Sequence, residues 1–568
     1  MDRVLDNNCP AVNRSTNRYR IGIAGVPLVF LAVFYFYPLI KIFTLSFMPE
    51  GVPELGELKK LISTSFYIRT LWFTTWQAAL STILTLIVAL PGAYIFARYR
   101  FTGKNLLQSF TAIPFVLPSV VVAAAFHALL GPNGIVNSWL MDSFDLTVPP
   151  IRLNHTIWFI LMAHVFYNYT VIIRIVGGAW ARLQPSLSEA ARMLGASSWK
   201  TFREITFPLL FPSICAASLL VFIFCFSSFG VILILGGPRY ATIEVEIYRQ
   251  AVHIFNLPMA AALSLVQICF TFVFMWVYTW LQRRTTFTLY PESRKVTQRK
   301  PSTRKDRIIV GTNIIAMAVL LGSPLAALVA QSVSTKQGFS LVYYRALFEN
   351  PEQSIFYIPP VEAIAYSIGF ALTALVLSLI IGLCAATFLA QNKSRAASLL
   401  DPLFMLPLAT SAVTLGFGYI IALDKPPLNL RTSIMLVPLA HTLVAYPFVV
   451  RSVLPALRSI PANLRESAAM LGASSVQTWM HVVMPIVRRS VIVGAVFAFT
   501  ISIGEFGATV FVARPQTPTM PLAIYRFLGQ PGALNYGQAM AMSTVLMLAT
   551  ALGFLLLERI RSGQEGEF

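Results

Sequence analysis

The hexapeptide Met-Leu-Gly-Ala-Ser-Ser occurs twice in this chain, at Met193–Ser198 and at Met470–Ser475. The longer segments around the two copies read EAARMLGASSWKTFREITFP over residues 189–208 and ESAAMLGASSVQTWMHVVMP over residues 466–485. The same offset of 277 residues relates further matching pairs on both sides of the segments: Ala163-His164 and Ala440-His441, Arg174 and Arg451, Phe229-Gly230 and Phe506-Gly507, Ile247-Tyr248-Arg249 and Ile524-Tyr525-Arg526. The chain therefore contains an internal duplication.

Each of the two segments predicts a pair of short helices joined at a glycine. A Glu-Ala-Ala sequence is typical of a helix start, where the helix dipole stabilises a carboxylate, so we expect Glu189 and Glu466 near those ends. Gly195 and Gly472, six residues later, fit a helix C-terminus at which the backbone turns left-handed. A second short helix is expected to end at the proline of each segment. The small Ala and Ser side chains would let the surface of another protein approach closely.

The composition places the rest of the chain in a membrane. Of the 568 residues, 56% are apolar and 12% are charged, and the mean hydropathy is +0.69. Soluble domains carry about 25% charged residues, so the composition excludes a water-soluble enzyme, a disordered chain and a fibrous protein. A membrane-spanning helix needs about 20 apolar residues. Runs of apolar residues predict twelve spans, near 21–47, 70–97, 106–130, 154–180, 208–235, 258–281, 308–331, 361–390, 399–423, 433–457, 485–512 and 537–558.

The distribution of basic residues predicts the orientation in the membrane. Of the 43 Lys and Arg residues, 30 fall in segments that are inside if the N-terminus is cytoplasmic, and nine of these lie within residues 282–307. Basic residues favour the cytoplasmic side, so both termini are predicted to be cytoplasmic. The net charge of +20 is thus a topological signal. The expected partner is the lipid bilayer, and nucleic acid is not needed.

These features predict an all-α integral membrane protein with about twelve transmembrane helices in two parallel six-helix repeats. The first half covers residues 1–285, with its duplicated loop at 185–208. A basic cytoplasmic linker follows at 286–307, and the second half covers 308–568, with its loop at 461–485. Because each half has an even number of spans, both halves enter the membrane in the same sense, unlike the inverted repeats of many secondary transporters.

The duplicated loops resemble the EAA signature of binding-protein-dependent ABC importer permeases, the inner-membrane family with the maltose-permease-like, type I fold. The family pattern is EAA, three residues, G, nine residues and I-x-L-P. The first copy departs from it only at Phe207, and the second departs at Ser467, Val482 and Met484. The resemblance implies that these loops couple the permease to ATP-binding subunits. It assigns that role to the residues matching the motif: Glu189, Ala190, Ala191, Gly195, Glu466, Ala468 and Gly472.

The same resemblance implies the partners and the location of the chain. It predicts two ATP-binding subunits as a homodimer, an extracytoplasmic solute-binding protein, and the inner membrane of a prokaryote. The chain lacks the phosphate-binding pattern G-x-x-x-x-G-K-[ST] and shows no nucleophile with a base beside it. We therefore expect a transport permease rather than an enzyme, without a cofactor or a bound metal, and ATP hydrolysis on a separate subunit.

Three further stretches, residues 235–248, 502–507 and 519–525, resemble the fused two-half permeases for ferric iron and for thiamine, and they do not separate these two solutes. Glu505 lies in the predicted span 485–512, where a carboxylate costs about 2.5–3.5 kcal/mol or more, and its repeat partner is Ser228. One interpretation places both residues on the translocation pathway, where Glu505 attracts a cation. The other makes Glu505 a structural carboxylate that is hydrogen-bonded to a neighbouring span.

Two points remain open at this stage. His164 and His441, which are repeat partners, are expected to be hydrogen-bonded structural residues rather than solute contacts. The alternative to an ABC importer is a secondary transporter or a channel without an ATPase partner. Such a protein would carry paired charges in its spans as ion or proton relays, and this chain has few.

Overall fold

The computed structural model describes residues 24–49, 51–285, 298–335, 337–349, 358–392, 395–424, 426 and 428–565. Most of the predicted linker, residues 286–297, lies outside these ranges, as do the first 23 residues. Among the described residues the secondary structure is almost entirely helical, and the only strands form a two-residue antiparallel pair, Ser334–Thr335 with Gly338–Phe339. The predicted all-α fold is therefore confirmed.

Eleven helices in the described part of the chain are long and apolar enough to cross a membrane, and a pair of helices bent by 94° makes a twelfth. They are, in chain order, α1 (Ala24–Phe47), α2 (Ser65–Arg98), α3 (Ser119–Phe144), α4 (Ile157–Arg182), α5 (Ser198–Phe226), α6 (Leu257–Gln282), α7 (Arg304–Val333), α8 (Val361–Gln391), α9 (the bent pair Leu399–Ala409 and Ala412–Ala422), α10 (Leu436–Arg458), α11 (Ser475–Ile503) and α12 (Ala533–Arg559).

Shorter helices connect these spans. They are Gly56–Ser63, Lys104–Val116, Pro185–Met193, Gly230–Leu235, Gly237–Arg239, Ile243–Tyr248 with its π-helical continuation Arg249–His253, Val342–Arg345, Ala462–Met470, Thr509–Val512 and Met520–Leu528. Three of them correct predicted spans, because residues 106–130, 208–235 and 485–512 are not continuous helices. Gly230–Leu235 is separate from α5, which ends at Phe226, and Thr509–Val512 is separate from α11, which ends at Ile503. Lys104–Val116 ends before Pro118, whose ring disfavours a helical conformation at Leu117, and α3 begins at Ser119.

The chain forms two compact units, and each unit combines residues from both sequence halves. The described residues of the first unit fall within Met1–Phe43, Ile364–Thr517 and Leu552–Phe568, and those of the second fall within Thr44–Ala363 and Pro518–Ala551. These units describe contacts in space, whereas the predicted division into residues 1–285 and 308–568 describes the sequence repeat and stays a prediction.

Within the first unit, α1 packs on helices of the second sequence half. The Tyr35 hydroxyl lies 2.7 Å from the Thr410 hydroxyl, and the ring of Phe30 meets the edge of Tyr446 with 6.2 Å between centroids. At Gly418 an added Cβ would lie 3.0 Å from the Pro38 side chain, so the glycine allows α1 and α9 to approach closely.

Within the second unit, α7 is held against the end of α2. The buried Tyr99 hydroxyl donates to the Asp306 carboxylate at 2.7 Å and accepts from the Arg299 guanidinium at 2.8 Å. Arg299 also pairs with Asp306 at 3.3 Å. Burial raises the pKa of Tyr99 to about 12, so the hydroxyl stays protonated and keeps donating. These contacts hold Arg299 and the start of α7 against the end of α2.

Candidate functional site

The first duplicated loop is a helix, a left-handed turn and the start of α5. The helix Pro185–Met193 ends where the Gly195 N–H donates to the Arg192 carbonyl at 2.9 Å and the Ala196 N–H donates to the Ala191 carbonyl at 3.0 Å. This pair of bonds is a Schellman motif, which needs a left-handed residue. Gly195 supplies it with φ of +83°.

The second duplicated loop repeats this geometry. The helix Ala462–Met470 ends with the Gly472 N–H on the Ala469 carbonyl and the Ala473 N–H on the Ala468 carbonyl, both at 3.0 Å. Gly472 has φ of +82°. The predicted left-handed glycine at the end of the first helix is therefore confirmed in both copies.

A serine caps the helix that follows each turn. The Ser197 hydroxyl accepts from the Lys200 N–H at 3.3 Å, and the Ser474 hydroxyl accepts from the Gln477 N–H at the same distance. In the second copy the Gln477 side chain also accepts from the Ser474 N–H at 2.8 Å, which completes a capping box. The glycine therefore ends one helix, and the serine two residues later caps the next.

The helices after the two turns do not end at the prolines, contrary to the prediction. Each runs on into a membrane span through a π-helical turn, at Phe202–Thr206 in the first copy and Trp479–Val483 in the second. Pro208 and Pro485 are each the second residue of the α-helical segment that follows this turn. The wider π turn accommodates a residue that lacks an N–H, so each loop is joined to its span by a continuous helix.

The expected position of the two glutamates was wrong. Pro185 begins its helix four residues before Glu189, and Ala462 lies four residues before Glu466, so neither carboxylate is in the first turn. Proline is common in the first turn of a helix because the N–H groups there have no acceptor within the helix, so the lack of an N–H costs nothing. Both glutamates are exposed in the middle of their helices, where the dipole contributes little.

The tip of each loop exposes a Met-Leu pair. Met193 and Leu194 are 89% and 88% exposed, and Met470 and Leu471 are each 89% exposed. Of the motif alanines, Ala190 is exposed, whereas Ala191 and Ala468 are only partly exposed. Sequence reasoning stressed the small residues and missed these apolar side chains. The signal was available, because both copies end their first helix with the same Met-Leu pair before the glycine.

In the second unit, a buried histidine joins α4 to the break after α5. His164 Nδ1 lies 2.9 Å from the Ser81 hydroxyl of α2, and its Nε2 lies 2.9 Å from the Ser228 hydroxyl. Ser228 stands between the end of α5 and the helix Gly230–Leu235. Both ring nitrogens are therefore satisfied, as expected for a structural histidine.

In the first unit, His441 occupies the matching place on α10. Its Nδ1 lies 2.8 Å from the Ser502 hydroxyl, and its Nε2 lies 2.8 Å from the Thr509 hydroxyl and 3.5 Å from the Glu505 carboxylate. That carboxylate accepts the N–H of Ala508 at 2.8 Å, the N–H of Thr509 at 2.9 Å and the Thr509 hydroxyl at 2.5 Å. It thus caps the short helix Thr509–Val512.

These contacts bear on the two interpretations of Glu505. Its carboxylate is 5% exposed and is bonded to backbone and side-chain donors of its own segment, an arrangement that fits the structural interpretation. Ser228 and Glu505 belong to different compact units. The pathway role of both residues stays a prediction.

A family model described as "Binding-protein-dependent transport system inner membrane component" matches residues 89–287 and again 378–562. The two matches together cover more than half of the chain, and each contains one of the duplicated loops. The chain belongs to this family of ABC importer permeases. It is a permease by family, not a member of an enzyme class, and the two separate matches confirm the internal duplication.

Named relatives of the permease cover most of its length. The "Thiamine transport system permease protein ThiP" of Brucella abortus (strain 2308) is 26% identical over 501 residues, which is 87% of this chain and 88% of the relative. The protein of the same name from Escherichia coli (strain K12) is 26% identical over 499 residues, 86% of this chain and 88% of the relative. The "Putative ferric transport system permease protein FbpB 1" of Haemophilus influenzae is 25% identical over 513 residues, 87% and 78%.

The hydroxyl partners of the two histidines were missed by sequence reasoning. The repeat matches His164 with His441, but at the same offset it pairs Ser502 with Cys225 and Thr509 with Ile232. The two halves of the permease thus satisfy the same buried imidazole with different residues. The repeat gives a signal only at Nε2, since it pairs Ser228, which lies 2.9 Å from His164 Nε2, with Glu505, which lies 3.5 Å from His441 Nε2.

Proposed function

We propose that the permease carries a small cationic solute, thiamine or ferric iron, into the cytoplasm, using ATP that is hydrolysed by two separate ATP-binding subunits. A solute-binding protein on the outer side delivers the solute. The observation that carries this proposal is the pair of duplicated loops, each with a left-handed glycine and an exposed Met-Leu tip. The names of the relatives supply the choice of solutes.

The loop tips are suited to insertion into a groove on a partner protein. A fully buried Met or Leu side chain contributes about 1.5–3 kcal/mol relative to its exposed state, and all four of these side chains are nearly fully exposed. A rigid turn presents them, since two backbone hydrogen bonds close each turn, one from the glycine N–H and one from the N–H of the following alanine. Because the Met-Leu-Gly-Ala-Ser-Ser sequence is identical in both loops, two copies of one ATP-binding subunit suffice, and we propose a homodimer.

The orientation follows from the charges. The positive-inside rule places both termini and both duplicated loops in the cytoplasm, on the side where ATP is available. In this orientation the solute-binding protein would dock on the extracytoplasmic ends of the spans. The membrane is the inner membrane of a prokaryote.

Mutation of one tip tests the coupling role. Replacing Met193 and Leu194 together by Ser should weaken binding of the ATP-binding subunit about 100-fold or more, since two buried apolar side chains are lost. Affinity is measured by titrating the labelled subunit onto the permease in nanodiscs. The matched control is Phe339→Ser, which removes an 88% exposed apolar side chain on the predicted outer side and should leave the affinity unchanged.

Equal affinity of the double variant and the control would show that the loop does not dock the subunit. The solute is tested separately, by uptake of labelled thiamine or labelled ferric iron into proteoliposomes that contain the permease, the ATP-binding subunit and the binding protein. ATP-dependent uptake of one of the two is expected. Uptake of neither would refute the choice of solute and leave the coupling result standing.

A further inference from the structure

A basic cleft lies between the ends of α10 and α11 in the first unit. Its volume is about 460 Å³, and it is lined by Ala456 and Ser459 from the end of α10 and by Pro485, Ile486, Arg488, Arg489 and Ser490 from α11. The two helices approach closely further along, since an added Cβ at Gly494 would lie 3.2 Å from the Val449 Cα. The cleft therefore opens where the helices separate, beside the second duplicated loop.

The cleft carries positive charge that the described residues do not neutralise. Arg488 and Arg489 are exposed, and neither forms an ion pair within the described ranges. By contrast Arg458, at the end of α10, is paired with Asp401 at 3.2 Å. Two guanidinium groups and the hydroxyl of Ser490 form a donor set suited to a phosphate group. The Ser459 hydroxyl lines the cleft but already donates to the Ala456 carbonyl at 2.9 Å.

The position of the cleft along the helix indicates that this phosphate belongs to a lipid. Pro485 begins the predicted apolar span 485–512, so Arg488 and Arg489 lie in its first turns, at the depth of lipid headgroups. Ile492, one turn beyond Arg488 on the same helix face, is 40% exposed, and Ile486 in the cleft wall is 50% exposed. A headgroup bound in the cleft would thus have an apolar surface beside it for its acyl chain.

The basic pair is absent from the other half of the duplication. At the offset of 277 residues, Arg488 and Arg489 correspond to Phe211 and Pro212, although Pro485 and Ser490 correspond to Pro208 and Ser213. Phe211 instead packs against the ring of Phe207, with 5.7 Å between centroids. The charge therefore does not come from the shared framework of the repeat and is specific to the second half.

We propose that this cleft binds the headgroup of an anionic phospholipid. A headgroup with a net negative charge pairs with both arginines, whereas a zwitterionic headgroup brings a cation of its own into the cleft. The assignment of the lipid to the cytoplasmic leaflet rests on the proposed orientation of the permease; the binding itself does not. The lipid would hold the end of α11 beside the second loop.

Native mass spectrometry of the purified full chain tests the proposal without ATP-binding subunits or solute. The chain in detergent is titrated with phosphatidylglycerol and, separately, with phosphatidylcholine of the same acyl chains. We expect phosphatidylglycerol to bind at least tenfold more tightly, and Arg488→Gln with Arg489→Gln to remove this preference. Arg488→Lys with Arg489→Lys should retain most of it, which separates lost charge from a misfolded chain.

A control variant and the results that would overturn the proposal complete the test. Arg100→Gln, which removes an exposed arginine in another predicted cytoplasmic loop, should keep the wild-type preference. Equal binding of the two lipids, or an unchanged preference in the double Gln variant, would overturn the proposal. Displacement of the lipid by millimolar inorganic phosphate would instead identify a site for free anions. If the double Gln variant kept its lipid preference but lost affinity for the ATP-binding subunit in the separate nanodisc titration, the two arginines would form a protein contact, and the proposal would be overturned.

Discussion

Replacement of the left-handed glycines measures how strongly the loop turn controls coupling. At Gly195 and Gly472 an added Cβ would meet no heavy atom within 4 Å, so a substitution acts through the backbone conformation alone. The left-handed conformation costs an L-residue about 1–2 kcal/mol, and a β-branched residue tolerates it least. Such a penalty reduces the population of the native turn about 5- to 30-fold relative to other conformations.

The expected order of activity at either position is therefore Gly, then Asn, then Ala, then Val. Asparagine adopts the left-handed conformation more readily than other non-glycine residues, so Gly195→Asn and Gly472→Asn are intermediate. The assay is the ATPase rate of the permease with its ATP-binding subunit in proteoliposomes, stimulated by the solute-loaded binding protein. Insertion of each variant is measured by its yield and its gel-filtration profile.

The matched control is Gly178→Val in α4. This glycine also has no heavy atom within 4 Å of an added Cβ, but its φ is −64°, so valine is not strained there. The control should keep the wild-type rate. If Gly195→Val and Gly472→Val were as active as Gly178→Val, the turn geometry would have no part in coupling, and the reasoning would be refuted.

Three further predictions follow from single contacts or from the sequence. Tyr99→Phe should lower the free energy of unfolding by about 1–3 kcal/mol, because Asp306 loses a buried donor; an unchanged melting temperature in detergent would contradict this. Glu505→Gln should lower the free energy of unfolding by a similar amount. Its amide oxygen can accept only one of the two N–H groups, of Ala508 and Thr509, that the carboxylate accepts, and its NH2 group cannot accept the other. Impaired import at an unchanged melting temperature would instead support the pathway role. The purified chain alone should not hydrolyse ATP, and phosphate release that persists after repeated purification would show otherwise.

The sequence predicted those parts of the fold that depend on local chemistry. The apolar runs gave twelve spans because the requirement for apolar length is local, and the glycines of the two loops gave left-handed turns because few other residues adopt them. The break before α3 followed the same kind of rule, since Pro118 stood in the predicted span, but its effect was not weighed. Glu189 was misplaced because Pro185 was not considered as the helix start.

Other features depend on contacts that a membrane sequence does not encode in its periodicity. Every face of a buried apolar helix is apolar, so the pattern gave no reason to place α1 with the second sequence half or α7 with the first. The polar partners of His441 lie 61 and 68 residues further along the chain and have no repeated counterparts in the first half. Such contacts become visible only when the helices are packed.

The central claim is that this permease imports its solute only with an ATP-binding partner, and one measurement tests it most directly. Proteoliposomes containing the permease, with and without the ATP-binding subunit, are supplied with the loaded binding protein, and solute accumulation is followed with internal ATP or with an imposed proton or sodium gradient. The account predicts accumulation only when the subunit and ATP are both present. Accumulation driven by an ion gradient without the subunit would contradict it and would identify a secondary transporter.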